Sequence, residues 1–177
     1  PEMSTVTVEK ETDGIAWGGV HWQYFESVEK VPAHAGTPLE IKKDLYVKRD
    51  SRKGPVLHRV RTANLRVGDE VVVRLELRSD RDMEFVHLKD DRGSGLEPVN
   101  VLSQYRWQDG LGYYEATRDT ATHFYIDRLP KGTYVFEYSL RVQHGGEYQS
   151  GIAHVECMYA PEFNSHSASA LLEVTKR

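Results

Sequence analysis

The chain has 177 residues, of which 39% are hydrophobic and 28% charged, and this composition predicts a globular domain that needs no metal or disulfide to fold. The net charge of −4 argues against a nucleic-acid partner, because phosphate binding favours a basic surface. No apolar run approaches the ~20 residues of a membrane-spanning helix, and the single cysteine, Cys157, excludes an internal disulfide.

The first part of the chain combines aromatic residues with glycine. Segment 15–26 (IAWGGVHWQYFE) is compatible with a long strand that carries a β-bulge at Gly18-Gly19. Residues 32–38 are typical of a linker, since proline and small residues dominate them. We therefore predict two units, a strand segment with its linker over residues 1–36 and a β-sandwich domain over residues 37–177.

A period of two dominates the rest of the chain. Over residues 70–78, valine and leucine at the odd positions alternate with mostly charged residues, as in a half-buried antiparallel strand. Residues 134–142 repeat this pattern, and further strands are expected over 39–48, 83–88, 123–128, 151–158 and 169–175. No stretch has a helical period with caps. These patterns predict an all-β fold, an antiparallel β-sandwich of seven or more strands with little helix.

Tyr134 follows the turn Leu129-Pro130-Lys131-Gly132 and has two interpretations. It is either a tyrosine corner, whose hydroxyl bonds back to the nearby backbone, or one more inward-facing aromatic residue.

Residues 100–122 are rich in aromatic residues and glycine, and we expect a long ordered loop there. Tyr105, Trp107, Tyr113 and Tyr114 then form either a binding surface or a small satellite core under the loop.

Groups suited to catalysis are scarce. Cys157 lies in an apolar strand and is expected to be buried and inert. The eight histidines lack the spacing of a zinc site, although His87 and His123 can meet across strands as hydrogen-bonded residues. Asp90-Asp91 before Arg92-Gly93 predicts a turn in which aspartate bonds its own backbone. We therefore expect no enzymatic activity, no metal and no cofactor.

Several motifs, taken in their order, resemble bacterial α2-macroglobulins. Residues 16–26 resemble the segment that follows the thioester domain, and Gly95-Leu96-Glu97-Pro98-Val99 resembles the Ala-Gly-Leu-Glu-Pro turn of that family. Residues 127–134 (DRLPKGTY) and 157–163 (CMYAPEF) resemble the last macroglobulin-like domain. The resemblance extends from about residue 15 to the end of the chain.

This resemblance implies a piece of a large protein of the bacterial cell envelope that traps proteases and bonds to them through an internal thioester. The partners would be the thioester domain and other domains of the same chain, and the target proteases. We expect a monomer, which is the default for one domain of a large chain. The Cys-x-Glu-Gln thioester motif is absent from these residues, and Cys157 does not match it.

In the family, a Met-Tyr pair of the last domain caps the thioester, and Met158 and Tyr159 match it here. With Phe163 they would form an apolar lid with one hydrogen-bonding tip. The alternative places Met158 in the core and Tyr159 at a strand end.

Two other functions remain open from the sequence. A carbohydrate-binding module would display the rings of Trp107, Tyr113 and Tyr114 coplanar on an exposed face. A β-sandwich hydrolase, which we disfavour, would gather ionisable groups around a concave pocket.

Overall fold

The computed structural model describes residues 7–19, 23–35, 38–60 and 65–176. Within these ranges lie fourteen strands and one 3-10 helix, Val28–Lys30, so the predicted all-β class is confirmed. None of the described residues form a helix long and apolar enough to cross a membrane. The strands are β1 (Leu39–Ser51), β2 (Gly54–Arg59), β3 (Leu65–Arg66), β4 (Glu70–Ser79), β5 (Met83–Asp91), β6 (Leu96–Pro98), β7 (Gln104–Gln108), β8 (Leu111–Thr117), β9 (Ala121–Leu129), β10 (Gly132–Val142), β11 (Gly146–Gln149), β12 (Ala153–Cys157), β13 (Ala160–His166) and β14 (Leu171–Thr175).

The strands form two large antiparallel sheets and one small sheet. The five-stranded sheet has the order β2-β1-β4-β10-β6, and the six-stranded sheet has the order β13-β12-β5-β9-β8-β7. The small sheet β11-β14-β3 contains the parallel pair of β14 and β3. Each of the seven strands predicted from the sequence coincides with an observed strand, and these strands lie mostly at the centre of the two large sheets.

One hydrophobic core joins the two large sheets. Val71, Val73, Leu75 and Leu77 of β4 are buried, as their alternation predicts. The two sheets meet where the ring of Phe124 packs against a ring from β10, that of Phe136, with 5.0 Å between the centroids.

Tyr134 forms the tyrosine corner, so it is more than one further inward-facing aromatic residue. Its hydroxyl donates a hydrogen bond of 3.1 Å to the carbonyl oxygen of Pro130, four residues earlier. Leu129 ends β9 and Gly132 begins β10, so this bond fixes the chain where it crosses from the six-stranded to the five-stranded sheet.

The prediction of a long loop over residues 100–122 is wrong. Strands β7 and β8 form a hairpin there, closed by Asp109 and Gly110 with positive φ angles of 51° and 77°. Two successive residues with positive φ are typical of a type I′ turn, whose twist matches that of the flanking strands. Tyr105, Trp107 and Tyr114 therefore share one face of the sheet, and Tyr113 lies on the opposite face.

The prediction of a turn at Asp90-Asp91 is also wrong. Both residues end β5, and the Asp90 side chain is fully buried between the sheets. Its carboxylate binds the Lys43 Nζ at 2.5 Å and accepts a hydrogen bond from the Tyr138 hydroxyl. A buried cation and a phenol replace the backbone partner that a turn would supply.

The expected strand over segment 15–26 is not seen. The described residues 15–19 and 23–26 have no regular secondary structure, and Val20, His21 and Trp22 lie outside the described residues. Further along, His34 pairs with His166 as an isolated antiparallel bridge on the edge strand β13. The predicted division between residues 36 and 37 stays a prediction, because both of these residues lie outside the described ranges.

Candidate functional site

Met158 and Tyr159 lie at the tip of a hairpin at one end of the sandwich. They connect β12 to β13, where Cys157 pairs with Ala160 beside a register shift at Glu156. Met158 is 49% exposed and Tyr159 is 79% exposed. The alternative in which Met158 belongs to the core is therefore wrong.

Phe85 completes this tip, although the sequence did not lead us to expect it there. Its ring is 45% exposed and contacts the Tyr159 ring edge-on, with 5.2 Å between centroids. The Met158 backbone N–H donates a hydrogen bond of 2.9 Å to the Phe85 carbonyl oxygen. The doublet Phe85-Val86, which interrupts the alternation of β5, is the sequence feature that could have indicated it.

Phe85 has a strained backbone. Its φ angle is +53°, a region that a bulky side chain occupies at a cost of roughly 1–2 kcal/mol. This conformation breaks the alternation of β5, so that Glu84 and Phe85 are both exposed in succession. Strain of this kind persists where the surrounding structure enforces it, and it often marks a functional site.

Phe163 differs from the two tip residues. It is half-buried and packs against the core, whereas Met158 and Tyr159 are exposed. Together with Phe85 and Tyr159 it lines an open hollow of about 640 Å³, which also contacts Met83 and Arg128. This hollow is large enough to accept side chains from a neighbouring domain.

Cys157 lies beneath the tip and is buried, as predicted. Its thiol donates a hydrogen bond of 3.3 Å to the Glu84 carbonyl oxygen. The thiol therefore serves the packing of β12 against β5.

The predicted aromatic surface is only partly formed. Tyr105 and Trp107 are 80% and 78% exposed, and Tyr114 is half-buried on the same face. The rings of Tyr105 and Tyr114 are tilted by 59° rather than coplanar, with 4.9 Å between centroids. The flat platform expected of a carbohydrate-binding module is not formed by these two rings.

Tyr113 does not belong to this surface, which corrects the prediction. Strand alternation turns it to the opposite face from Tyr114, where it is buried and packs edge-on against Phe136 at 5.0 Å. Beside it, burial raises the pKa of the Glu115 carboxyl, while the Arg106 guanidinium at 2.6 Å opposes this change. This ion pair fixes the edge strand β7 to the sheet.

His87 and His123 meet across β5 and β9, as predicted. The His87 Nε2 and the His123 Nδ1 are 2.9 Å apart and share a hydrogen bond. Burial lowers the pKa of both imidazoles, and for His87 the nearby His123 adds to this effect. No group of three or more His, Cys, Asp or Glu residues suited to a metal ion occurs among the described residues.

The two facing antiparallel sheets form a macroglobulin-like β-sandwich domain. The model of the bacterial α2-macroglobulin MG10 domain matches residues 39–162, which is more than half of the chain. The chain therefore belongs to the family of bacterial α2-macroglobulin MG10 domains.

Solved structures of much longer proteins contain a similar fold. A mutant of Salmonella α2-macroglobulin is 24% identical with a TM-score of 0.64, over 82% of this chain and 10% of that one. Escherichia coli α2-macroglobulin activated by porcine elastase is 23% identical with a TM-score of 0.65, over 82% and 14% of the two chains. These identities are low, so the similarity shows the fold alone. This chain spans about a tenth of the length of the Salmonella protein.

One curated relative matches a smaller part of the chain. Circularly permutated Ras protein 2 of Dictyostelium discoideum is 27% identical over 96 residues, which are 54% of this chain and 2% of that protein.

Proposed function

We propose that this chain is the last, non-catalytic domain of a bacterial α2-macroglobulin-like protease inhibitor of the cell envelope. In this role it packs against the thioester domain of the same polypeptide and shields the thioester from water. Membership in the bacterial α2-macroglobulin MG10 family supports the assignment to this type of protein. The Escherichia coli α2-macroglobulin of similar fold was activated by an elastase, which supports an interaction with proteases. The observation that carries the docking role is the exposed pair of Phe85 and Tyr159 at the hairpin tip.

The tip has the properties of an anchor for another domain. Two exposed aromatic rings contact each other and line a hollow, and the exposed Met158 precedes one of them in the chain. Aromatic anchors beside a hollow dominate the energy of many interfaces. The positive φ angle of Phe85 comes at a cost to the fold, and its ring is exposed. A domain that functioned alone would gain stability by losing this strain.

The chemistry of the tip suits the shielding of a reactive bond. A thioester survives only where water is excluded, and a methionine side chain adapts its shape to fill gaps. Tyr159 adds a broad apolar ring that ends in a hydroxyl, so it can seal an interface and still satisfy one polar partner.

The test uses the full-length protein with Tyr159→Ala. We expect faster spontaneous hydrolysis of the thioester, measured as the rate at which a free thiol appears. Tyr105→Ala is the matched control, because Tyr105 is exposed to the same degree on a distant edge of the sheet. An unchanged rate for Tyr159→Ala, or a full-length protein that releases no thiol, would contradict the shielding role.

A further inference from the structure

Five of the eight histidines lie on the outer face of the six-stranded sheet. Neighbouring strands place Cα partners in one line across this face, in an order that we call the basic row: His123, Lys89, His154, His166 and His34. The residues on either side of each strand member along β9, β5, β12 and β13 are buried, so the strand members of the row point away from the core.

A second line runs beside the basic row. Its Cα partners, which we call the aromatic row, are Tyr105, Tyr114, Tyr125, His87 and Glu156. Trp107 lies two residues beyond Tyr105 on the same face and is exposed. The face therefore combines a line of basic groups with a line of amphipathic rings.

The charge of this face depends on pH, because histidine changes charge between pH 5 and 8. At neutral pH the permanent cation of the row is Lys89, and Asp91 pairs with it at 2.8 Å. Glu156 lies 3.9 Å from the His87 Nδ1, and Arg118 adds positive charge near His123. Protonation thus adds positive charge along the basic row, beside Asp91, Glu156 and the exposed Asp127 of β9.

We propose that the outer face of the six-stranded sheet is a pH-dependent binding site for an anionic lipid surface. Neighbouring strands lie about 4.8 Å apart, so the five basic groups extend over roughly 20 Å, which matches a flat layer of phosphate headgroups. Tyrosine and tryptophan rings favour the boundary between headgroups and acyl chains. Charge complementarity and the adjacent rings together select a lipid surface over a soluble anion.

The expected effect is large enough to measure. One basic residue near an anionic leaflet strengthens binding about fivefold, which corresponds to about 1 kcal/mol. Protonation of several histidines should therefore raise the partition coefficient at least tenfold between pH 7.5 and pH 5.5. Burial lowers the pKa of His87 and His123, which delays their contribution to more acidic pH.

The experiment is cosedimentation of the 177-residue chain with phosphatidylglycerol vesicles at both pH values. We expect binding at pH 5.5 that salt weakens, and no comparable binding to phosphatidylcholine vesicles. His154→Gln with His166→Gln should reduce binding at pH 5.5 roughly tenfold or more. The matched control is His58→Gln with His144→Gln, which removes two exposed histidines outside this face and should change binding less than twofold.

A gain-of-charge variant keeps the proposal testable if glutamine weakens the fold. His154→Lys with His166→Lys should bind phosphatidylglycerol at pH 7.5. The proposal is overturned if binding does not depend on pH, if both double-glutamine variants bind equally, or if the lysine variant does not bind at pH 7.5. Displacement by inorganic phosphate, at an ionic strength matched with chloride, would assign the face to free phosphate instead of a lipid surface. None of these outcomes bears on docking through Tyr159.

Discussion

Lys43 and Asp90 form an ion pair of 2.5 Å between the two large sheets, with only 3% and 0% of their side chains exposed. The Lys43 ammonium also donates to the carbonyl oxygens of Asp91 and Ser150, at 3.1 and 3.0 Å. The Tyr138 hydroxyl donates to the second carboxylate oxygen of Asp90. The Lys43 ammonium and both carboxylate oxygens of Asp90 thus have hydrogen-bond partners. A buried ion pair is tolerated only when its polar atoms are satisfied in this way.

Lys43→Met should destabilise the domain by about 3–5 kcal/mol, because it leaves the buried Asp90 carboxylate without its cation. Urea unfolding at pH 8 measures this loss. The double variant Lys43→Met with Asp90→Asn should be more stable than Lys43→Met alone, since a neutral amide can still accept from Tyr138. A double variant that is less stable would show that the charge is not the cause.

The cost of Lys43→Met should be smaller at pH 5 than at pH 8. Burial raises the pKa of Asp90, and Lys43 opposes this effect. Without Lys43, the folded chain binds the Asp90 proton more tightly than the unfolded chain does, so the free energy of unfolding falls as pH rises through the folded-state pKa. An equal cost at both pH values would contradict this account.

Gly151→Ala should prevent folding or destabilise the domain by several kcal/mol. Gly151 has a φ angle of +81°, and a Cβ there would lie 2.1 Å from the Asp91 carbonyl oxygen, a backbone atom that cannot move aside. Gly54→Ala is the matched control, because Gly54 has a φ angle of +109° but open space around it. The free energy of unfolding of the control should fall by only about 1–2 kcal/mol, the cost of a side chain at positive φ. Thermal unfolding of both variants measures the difference.

Phe85→Gly should be more stable than Phe85→Ala by about 1 kcal/mol. Both remove the ring, but only glycine relieves the positive φ angle. At the preceding position, Glu84→Gly and Glu84→Ala should show the opposite order, since glycine weakens an ordinary strand residue. Chemical denaturation of the four variants makes the comparison, and the same order at both positions would show that Phe85 is not strained.

Tyr134→Phe should lower the free energy of unfolding by about 1 kcal/mol, the usual contribution of one partly buried hydrogen bond. The change removes only the hydroxyl that donates to Pro130. Tyr159→Phe offers a comparison at an exposed ring, where loss of the hydroxyl should leave the urea midpoint of the isolated domain unchanged.

His87→Gln should make stability less dependent on pH below neutrality. Burial lowers the pKa of His87, so the folded chain binds fewer protons than the unfolded chain just below pH 6.5. The contribution of a neutral His87 to the free energy of unfolding is fully present above that pH, and it is lost as the pH falls through the folded-state pKa. Urea midpoints from pH 7.5 to 5.5 should decline less steeply for the variant, and equal slopes would contradict a buried neutral imidazole.

Local patterns predicted the centre of the fold. Alternation alone identifies β4, and Pro130 with Gly132 before Tyr134 indicates the tyrosine corner. The β7–β8 hairpin could also have been predicted, because Asp109-Gly110 suits a type I′ turn and the aromatic residues Tyr105 and Trp107 alternate with polar ones before it.

Other features depend on which strands become neighbours, and local sequence does not contain that information. Lys43 and Asp90 are 47 residues apart in the chain and meet only because β1 and β5 lie in facing sheets. The same holds for the candidate site, where Tyr159 was predicted from its motif while Phe85 joins it through the pairing of β12 with β5. The basic row likewise requires the strand order of the six-stranded sheet.

The edge strand β7 has a consequence for handling the protein. All five of its residues are exposed, and no strand of the described part of the chain pairs with its outer side, which leaves that side open to another chain. Such an edge is a template for intermolecular pairing and fibril growth unless polar side chains interrupt it. Arg106, held by Glu115, supplies the charge at the middle of this edge. Acidic storage that protonates Glu115 would free the Arg106 side chain from this position and so change how the edge resists pairing with another chain.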